Sequence, residues 1–243
     1  MEIIRLDRFV ARSFDISRSH AAKLILEGKI SFNGALQRDV AFKLSTDDRI
    51  VFMGEERGYE KFVYIMMNKP LGIVSSTEDN DGETVIDILP PSLKRRGLFP
   101  AGRLDKYSHG MMIITDDGEF AHRMLSPATH VPKTYYIKAD APIVNEKLVH
   151  EFSKGVFLGD GKYSSPSQLV IIDEFSAYVT IHEGIYHQVR RMFSRFGGEV
   201  TELKRIKIGG LSLDKDLKAG ESRAITPKEK LLLTENSEIK KNK

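Results

Sequence analysis

LFPAGRLDKYSHGMMIITDDGEFAHRML, residues 98–125, is the stretch on which the reading of this sequence turns. Met111–Ile114 is an unbroken apolar run of strand length, and Gly102 and Gly110 bound a polar turn just before it. After the run, Asp116-Asp117 reads as the turn between a strand and a helix spanning Gly118–Leu125. Within Gly102-Arg103-Leu104-Asp105, the aspartate is then carried by a loop whose ends are anchored in a sheet, a common arrangement for a catalytic group. Taken alone, such an aspartate is more often a turn residue that only hydrogen-bonds its own backbone.

Working outward, KFVYIMMNKP is an apolar strand halted by Asn68-Lys69-Pro70-Leu71-Gly72. Short β-rich runs (GIVSS, MMIIT, TYYIKA, QLVII, AYVTI) alternate with helical candidates at Gly118–Leu125, Asn145–Lys154 and His187–Phe196. The alternation is too irregular for βαβ winding, so the expected fold is α+β on a largely antiparallel sheet. Upstream, Leu6, Phe9 and Val10 stand at helical spacing, and Ser17 is the natural N-cap of a second helix that buries Ala21, Leu24 and Ile25 and stops at Gly28. KISFNG then reads as a strand entering an Asn33-Gly34 hairpin, with further strands expected around Arg38–Phe42 and Arg49–Phe52. GEERGYEK (54–61) reads as a linker. The expected divisions are a domain at 1–58, a linker at 59–62, a second domain at 63–230 and a polar tail at 231–243.

The chain of 243 residues carries a formal charge of +3, with 41% hydrophobic and 29% charged residues, an ordinary globular composition that is mildly basic. It has no cysteine, which excludes disulfides, thiolate metal sites and cysteine nucleophiles and fits a reducing compartment. With neither a signal-peptide pattern nor a run of about 18 apolar residues, the expectation is a soluble protein of the cytoplasm with no membrane partner, most simply a monomer.

Two more segments carry chemistry. HVPKTYYIKA (130–139) brings Lys133-Thr134-Tyr135 into a strand, where the tyrosines alone would be read as packing residues. In EGIYHQVRRMFSRFGGEVTELKRIKIGG (183–210), Arg190, Arg191, Arg195, Lys204, Arg205 and Lys207 face only Glu199 and Glu202 between positions 190 and 207. On a helix, Gln188, Arg191 and Arg195 share one face and Val189, Met192, Phe193 and Phe196 another. That is either an ordinary amphipathic surface helix or a basic wall for nucleic-acid phosphates with one arginine turned toward a carboxylate.

Two short helices bearing Arg5, Arg8, Arg12, Arg18 and Lys23, followed by LEGKISFNG, resemble the α-L RNA-binding domain of a small-subunit ribosomal protein and of several RNA-modifying enzymes. GRLD before an apolar strand and TDDG, then KTY, then YHQVRRMF, resemble in order and spacing the ribosomal RNA pseudouridine synthases that carry such a domain. The resemblance runs from about Leu6 to Ile225. It implies a small α-L domain followed by a catalytic domain with a largely antiparallel mixed sheet, and an enzyme that needs no cofactor or metal.

The resemblance also assigns residues. Asp105 is the catalytic carboxylate, Tyr135 lines the active site against the base, and Arg190 pairs with Asp105. Arg103 orders the loop and Leu203 packs near the flipped base. Lys94, Arg95, Arg96, Lys133, His187, Gln188, Arg191 and Arg195 join the N-terminal basic residues as expected RNA contacts. The family usually places an acid two residues after the catalytic aspartate, where this chain has Tyr107. Tyr186-His187-Gln188 and YIMMNKPLG resemble the small-subunit enzyme of the 16S rRNA uridine-516 type, so 16S rRNA or a small-subunit assembly intermediate is the expected partner. A 23S rRNA synthase is the alternative, and a non-catalytic rRNA-binding assembly factor is the reading from another class. A metal-dependent nuclease built on Asp116 and Asp117 rests on that single acidic pair.

Overall fold

The chain begins with an extended segment, β1 (Ile3–Arg5), that runs directly into α1 (Leu6–Ser13) and is followed by α2 (Arg18–Leu26). The protein is described here by a computed structural model over residues 2–80, 82–129 and 131–234, and it divides into two units, Met1–Val63 and Tyr64–Lys243. Ser17 caps α2 by accepting the His20 N–H at 3.1 Å, as the sequence predicts. Then come β2 (Ile30–Phe32), β3 (Ala35–Gln37), β4 (Lys43–Ser45), β5 (Arg49–Phe52) and β6 (Glu55–Gly58). Asn33 and Gly34 both take positive φ, +49° and +78°, and close the β2–β3 hairpin. The apolar stripes of both helices meet Ile30, Leu44 and Ile50 in a core centred on Leu6, Phe9, Val10 and Ile25.

This unit departs from the sequence reading twice. Arg38–Phe42 is a turn, not a strand, because Asp39 accepts the Ala41 N–H on its carboxylate and the Phe42 N–H on its carbonyl. Pairing falls on either side of it, in β3 and β4. GEERGYEK is not a free linker. Met53 and Gly54 adopt left-handed conformations that fold β6 back onto β5, a turn hidden by the polar composition.

In the second unit the sheet is built from β7 (Tyr64–Lys69), β8 (Phe99–Pro100), β9 (His109–Thr115), β10 (Lys133–Ala139), β13 (Gln168–Ile171), β14 (Ser176–Ile181), β15 (Val200–Ile208), β16 (Leu211–Ser212) and β17 (Ser222–Ala224). A separate hairpin joins β11 (Phe157–Gly159) and β12 (Lys162–Tyr163). The helices are α3 (Gly118–Leu125), α4 (Glu146–Lys154), α5 (Gln188–Ser194) and α6 (Pro227–Leu232). Strand order is β13-β14-β10-β15-β9-β7-β17, with β16 beside β15 and β8 beside β9. All pairs are antiparallel except β9 with β15, so the α+β, largely antiparallel sheet is mixed through one parallel seam. Of the expected GIVSS strand only an isolated bridge at Val74 forms. Leu233, beyond α6 and within the expected polar tail at 231–243, is fully buried; residues 235–243 lie outside the described residues.

β7 and β9 are covered on both faces, which explains their uninterrupted apolar runs. Met66, Met111 and Ile113 pack beneath Phe120 and Met124 of α3 on one face. The other face carries a register row that crosses four strands: Tyr135 of β10 opposite Arg205 of β15, Arg205 opposite Gly110 of β9, and Gly110 opposite Lys69 of β7. No helix among the described residues is long and apolar enough to cross a membrane.

Gly110 is required where it stands. Its φ is +99°, and a Cβ there would lie 2.3 Å from the Arg205 carbonyl oxygen across the parallel seam. Gly110→Ala is therefore expected to lower unfolding free energy by about 2–4 kcal/mol. Gly97→Ala, also at positive φ but in open space, is expected to cost only about 1 kcal/mol. Urea denaturation of the two variants checks the difference.

Candidate active site

The loop leading into β9 is held almost entirely through its main chain. The Lys69 ammonium is buried at the end of β7 and donates to the carbonyl oxygens of Ser108 at 2.9 Å, Pro70 at 3.1 Å and Asp105 at 3.2 Å. The Ser75 hydroxyl donates to the Leu104 carbonyl at 2.7 Å and accepts the Leu104 N–H at 3.0 Å. The Gly72 N–H donates to the Lys106 carbonyl at 2.8 Å. From β15, buried Arg205 donates to the Met111 carbonyl at 2.7 Å and to that of Arg103 at 3.4 Å. Leu104 plugs into the core, while the Asp105 side chain retains 36% of its surface in solvent.

Three cations stand behind this loop along the sheet. Burial pushes the Lys69 ammonium down to about 8, Asp105 opposing the shift and Arg205 adding to it. Burial and Arg205 push Lys133 down to about 8 as well, and its ammonium donates to the Val131 carbonyl at 3.0 Å. Lys133, expected to contact RNA, is therefore part of the interior. Tyr135 is buried beside Arg205, and Leu203, two residues before Arg205, faces the same side of the sheet opposite Ile137.

The segment before α5 supplies the far side. Its N-cap, His187, takes a left-handed conformation (φ +51°) and places Nε2 3.5 Å from Asp105 Oδ1. Its ring stacks on Tyr186 at 3.9 Å and 15°. The expected ion pair between Arg190 and Asp105 is not formed. Arg190 donates to the Val200 carbonyl at 2.5 Å and the Tyr107 carbonyl at 2.9 Å, so it braces the loop one turn beyond the aspartate. The carbonyls are fixed acceptors, whereas the partly solvated Asp105 carboxylate does not compel a guanidinium partner.

Several of the expected RNA contacts have partners within the protein. Gln188 is buried, accepting the Ile185 N–H and donating to Glu183, because its turn needs an internal partner. Arg191 donates to the carbonyls of Leu158 and Gly159 and pairs with Asp160, tying α5 to the β11–β12 hairpin. Arg95 forms a buried ion pair with Asp116 at 3.2 Å. The Arg103 side chain is exposed, and only its carbonyl helps order the loop. Lys94, Arg96 and Arg195 remain on the surface, Lys94 with its ammonium on the Asp87 carbonyl and Arg195 over the Phe157 ring.

In the N-terminal unit, Asp7 accepts from Arg5 and Arg18 and from the Arg8 N–H. Burial opposes its ionisation, but the guanidinium hydrogen bonds outweigh that, and the carboxyl sits below its usual range. Arg8 and Lys23 are exposed, Lys23 near Glu27, and Arg12 donates to the Lys61 carbonyl. The nuclease reading fails: Asp116 pairs with Arg95, while Asp117 caps α3 and accepts the Tyr64 hydroxyl. Among the described residues no group of three or more His, Asp or Glu could hold a metal ion.

Sequence reasoning missed Lys69 and Arg205. Lys69 stood in view as the middle of Asn-Lys-Pro, where a charged residue ending an apolar strand signals a buried anchoring role.

Comparison with known proteins gives a consistent result. The RNA pseudouridylate synthase family model matches residues 63–195, and the S4 domain model matches residues 4–50. An uncharacterized RNA pseudouridine synthase of Bacillus subtilis (strain 168) is 40% identical over 237 residues, covering 96% of this chain and 99% of the relative. Ribosomal small subunit pseudouridine synthase A of Escherichia coli (strain K12) is 38% identical over 228 residues, covering 93% and 98%. A crystal structure of a pseudouridylate synthase superposes with a TM-score of 0.67 at 36% identity, covering 95% of this chain and 99% of the other.

The buried lysines set a pH dependence of stability. Below about pH 8 Lys69 is charged in both folded and unfolded chains; between about 8 and its ordinary 10.5 the unfolded chain binds more protons. Stability from this group therefore rises as pH rises through that window. Relative to Lys69→Met, the wild-type unfolding free energy is expected to gain up to about 1.4 kcal/mol per pH unit there. Urea titrations of both proteins on each side of the window check the sign.

Proposed function

The chain belongs to the RNA pseudouridylate synthase family, and we propose that it isomerises a uridine of 16S ribosomal RNA, at position 516, with Asp105 as the reacting carboxylate. The supporting observation is a single carboxylate, Asp105, presented by a loop whose carbonyls are fixed by Lys69, Ser75, Arg190 and Arg205. Full-length similarity to a ribosomal small subunit pseudouridine synthase supports the choice of RNA. The S4 domain supports RNA binding by the N-terminal unit.

The reaction breaks the N1–C1′ bond of uridine and makes a C5–C1′ bond. One proton leaves C5 and one is taken up at N1, so no redox change or group donor enters. A carboxylate can act as nucleophile or base toward the sugar. The target base must leave its stack to reach Asp105, and in this reading it lies between Tyr135, Leu203 and the loop. Arg190 acts through the loop, as a positioning residue. Arg5, Arg8, Arg12, Arg18 and Lys23 of the S4 unit, with Lys94, Arg96 and Arg195, are the groups proposed to meet phosphates.

Carbodiimide mapping of 16S rRNA after incubation with the protein is expected to reveal one new pseudouridine; no new site in either large ribosomal RNA would refute the reading. Asp105→Asn is expected to abolish turnover and leave RNA affinity within about twofold, since carboxylate chemistry and phosphate contacts are separate. Replacing Arg8 and Lys23 together by Ala is expected to weaken rRNA binding and lower the salt slope by about one per lost phosphate contact, measured by titration at several salt concentrations.

A further inference from the structure

The outer half of the catalytic sheet is covered on one face and open on the other. In β10, β14 and β13 burial alternates with the strand period: Tyr135, Ile137, Ala177, Val179 and Leu169 are enclosed, and the residues between them reach solvent. Resting on the reading of the chain as an enzyme of ribosomal RNA, we propose that this open face is a second RNA-binding surface. It takes an unpaired segment of the substrate RNA, stacking bases on Tyr136 and Tyr178 and holding phosphates with Lys138, Lys204 and Lys207.

The register sets one row of side chains across five strands. Val170 of β13 stands opposite Tyr178 of β14, Tyr178 opposite Tyr136 of β10, Tyr136 opposite Lys204 of β15, and Lys204 opposite His109 of β9. The two tyrosine rings meet edge to face, with centroids 6.1 Å apart and 61° between their planes, and Tyr178 keeps 41% of its surface in solvent. In the next row the Thr134 and Thr180 hydroxyls share a hydrogen bond of 3.0 Å, with Lys207 opposite Thr134. On the other side of the tyrosines Lys138 stands opposite Glu202, and that acid is engaged by His109 at 3.2 Å. The three lysine ammonium groups enter no ion pair among the described residues. Tyr135 and Arg205, the chain neighbours of Tyr136 and Lys204, face the opposite side, so the row lies back to back with the active site.

The chemistry of the row selects its occupant. Protein interfaces deplete lysine and enclose apolar side chains at their centre. Here lysines flank two tyrosines, and Val170 is the single aliphatic side chain of the row. Aromatic rings set among cations on an antiparallel sheet suit single-stranded RNA, whose bases stack on the rings while its phosphates meet the ammonium groups. At roughly 4.8 Å per strand the row spans about 19 Å, room for two or three splayed bases. Because the face is turned away from Asp105, its occupancy adds affinity and leaves the chemical step alone.

The test uses the full chain and 16S rRNA. Irradiating wild-type protein bound to rRNA that carries 4-thiouridine is expected to cross-link Tyr136 or Tyr178; cross-links confined to other parts of the chain overturn the proposal. In binding titrations, Tyr136→Thr with Tyr178→Thr keeps strand-forming residues in place and is expected to weaken affinity about fivefold or more per ring, the effect falling on KM and not on kcat. Tyr136→Phe with Tyr178→Phe, which retains the ring faces, is expected to restore wild-type affinity. Lys138→Gln with Lys204→Gln is expected to lower the salt slope by about 0.7 per lost contact, whereas Lys147→Gln, at an exposed position of α4, leaves it unchanged. Equal affinity of the threonine variant and wild type overturns the proposal, as does a wild-type dimer in sedimentation that the threonine variant converts to single chains. A wild type that neither binds rRNA nor forms pseudouridine refutes the functional reading instead; wild-type turnover beside an unaffected threonine variant refutes only the second surface.

Discussion

A buried ammonium with no carboxylate in hydrogen-bond contact is the constraint around which the catalytic unit is arranged. Lys69 ends a strand that is otherwise Tyr, Ile, Met, Met and Asn, and its Nζ lies out of contact with water. Enclosing such a charge costs several kcal/mol unless its donors are used. Here they are used on three carbonyls of the segments at either end of the site, Pro70 on one side and Asp105 and Ser108 on the other. The same contact that makes the lysine tolerable fixes the loop. Arg205 repeats the arrangement from β15, on the far side of β9, and its approach depends on Gly110 having no side chain.

Much of this was legible in the sequence, and the limits are physical. Local signals carried through: the Ser17 cap, the Asn33-Gly34 hairpin, the apolar runs of β7 and β9, and the helix after Asp117. The polar turns at Asp39 and Met53-Gly54 were missed because one carboxylate, or one pair of left-handed residues, redirects a chain whose composition reads as plain strand or linker. The parallel seam is a long-range pairing with no local trace. At the site, helical spacing showed which residues share a face of α5 but not which carbonyl lies within reach of each arginine. Arg191 and Arg95, expected to meet RNA, and Arg190, expected from the resemblance to pair with Asp105, instead donate to main chain or to a buried acid. Counting basic residues overstates an RNA-facing surface wherever acceptors lie beneath it.

The S4 unit shows the converse. Its basic residues are mostly at the surface, but two of them are gathered by Asp7 rather than left independent. A single enclosed carboxylate holds Arg5 and Arg18 together and also receives the Arg8 N–H. Each exposed pair is weak by itself. Their value lies in fixing where two guanidinium groups stand, leaving the remaining donors directed outward.

Tyr107 touches its bracing arginine only through its carbonyl, and its ring is largely in solvent. Lys69, Ser75, Gly72 and Arg205 likewise grip peptide groups, which every amino acid provides. The scaffold thus reads the loop's trace and is blind to its letters. The side chains at 103, 106 and 107 take no part in these contacts, which hold the carboxylate between them through main-chain carbonyls. What fixes the carboxylate and what faces solvent are thus divided between main chain and side chain within five consecutive residues.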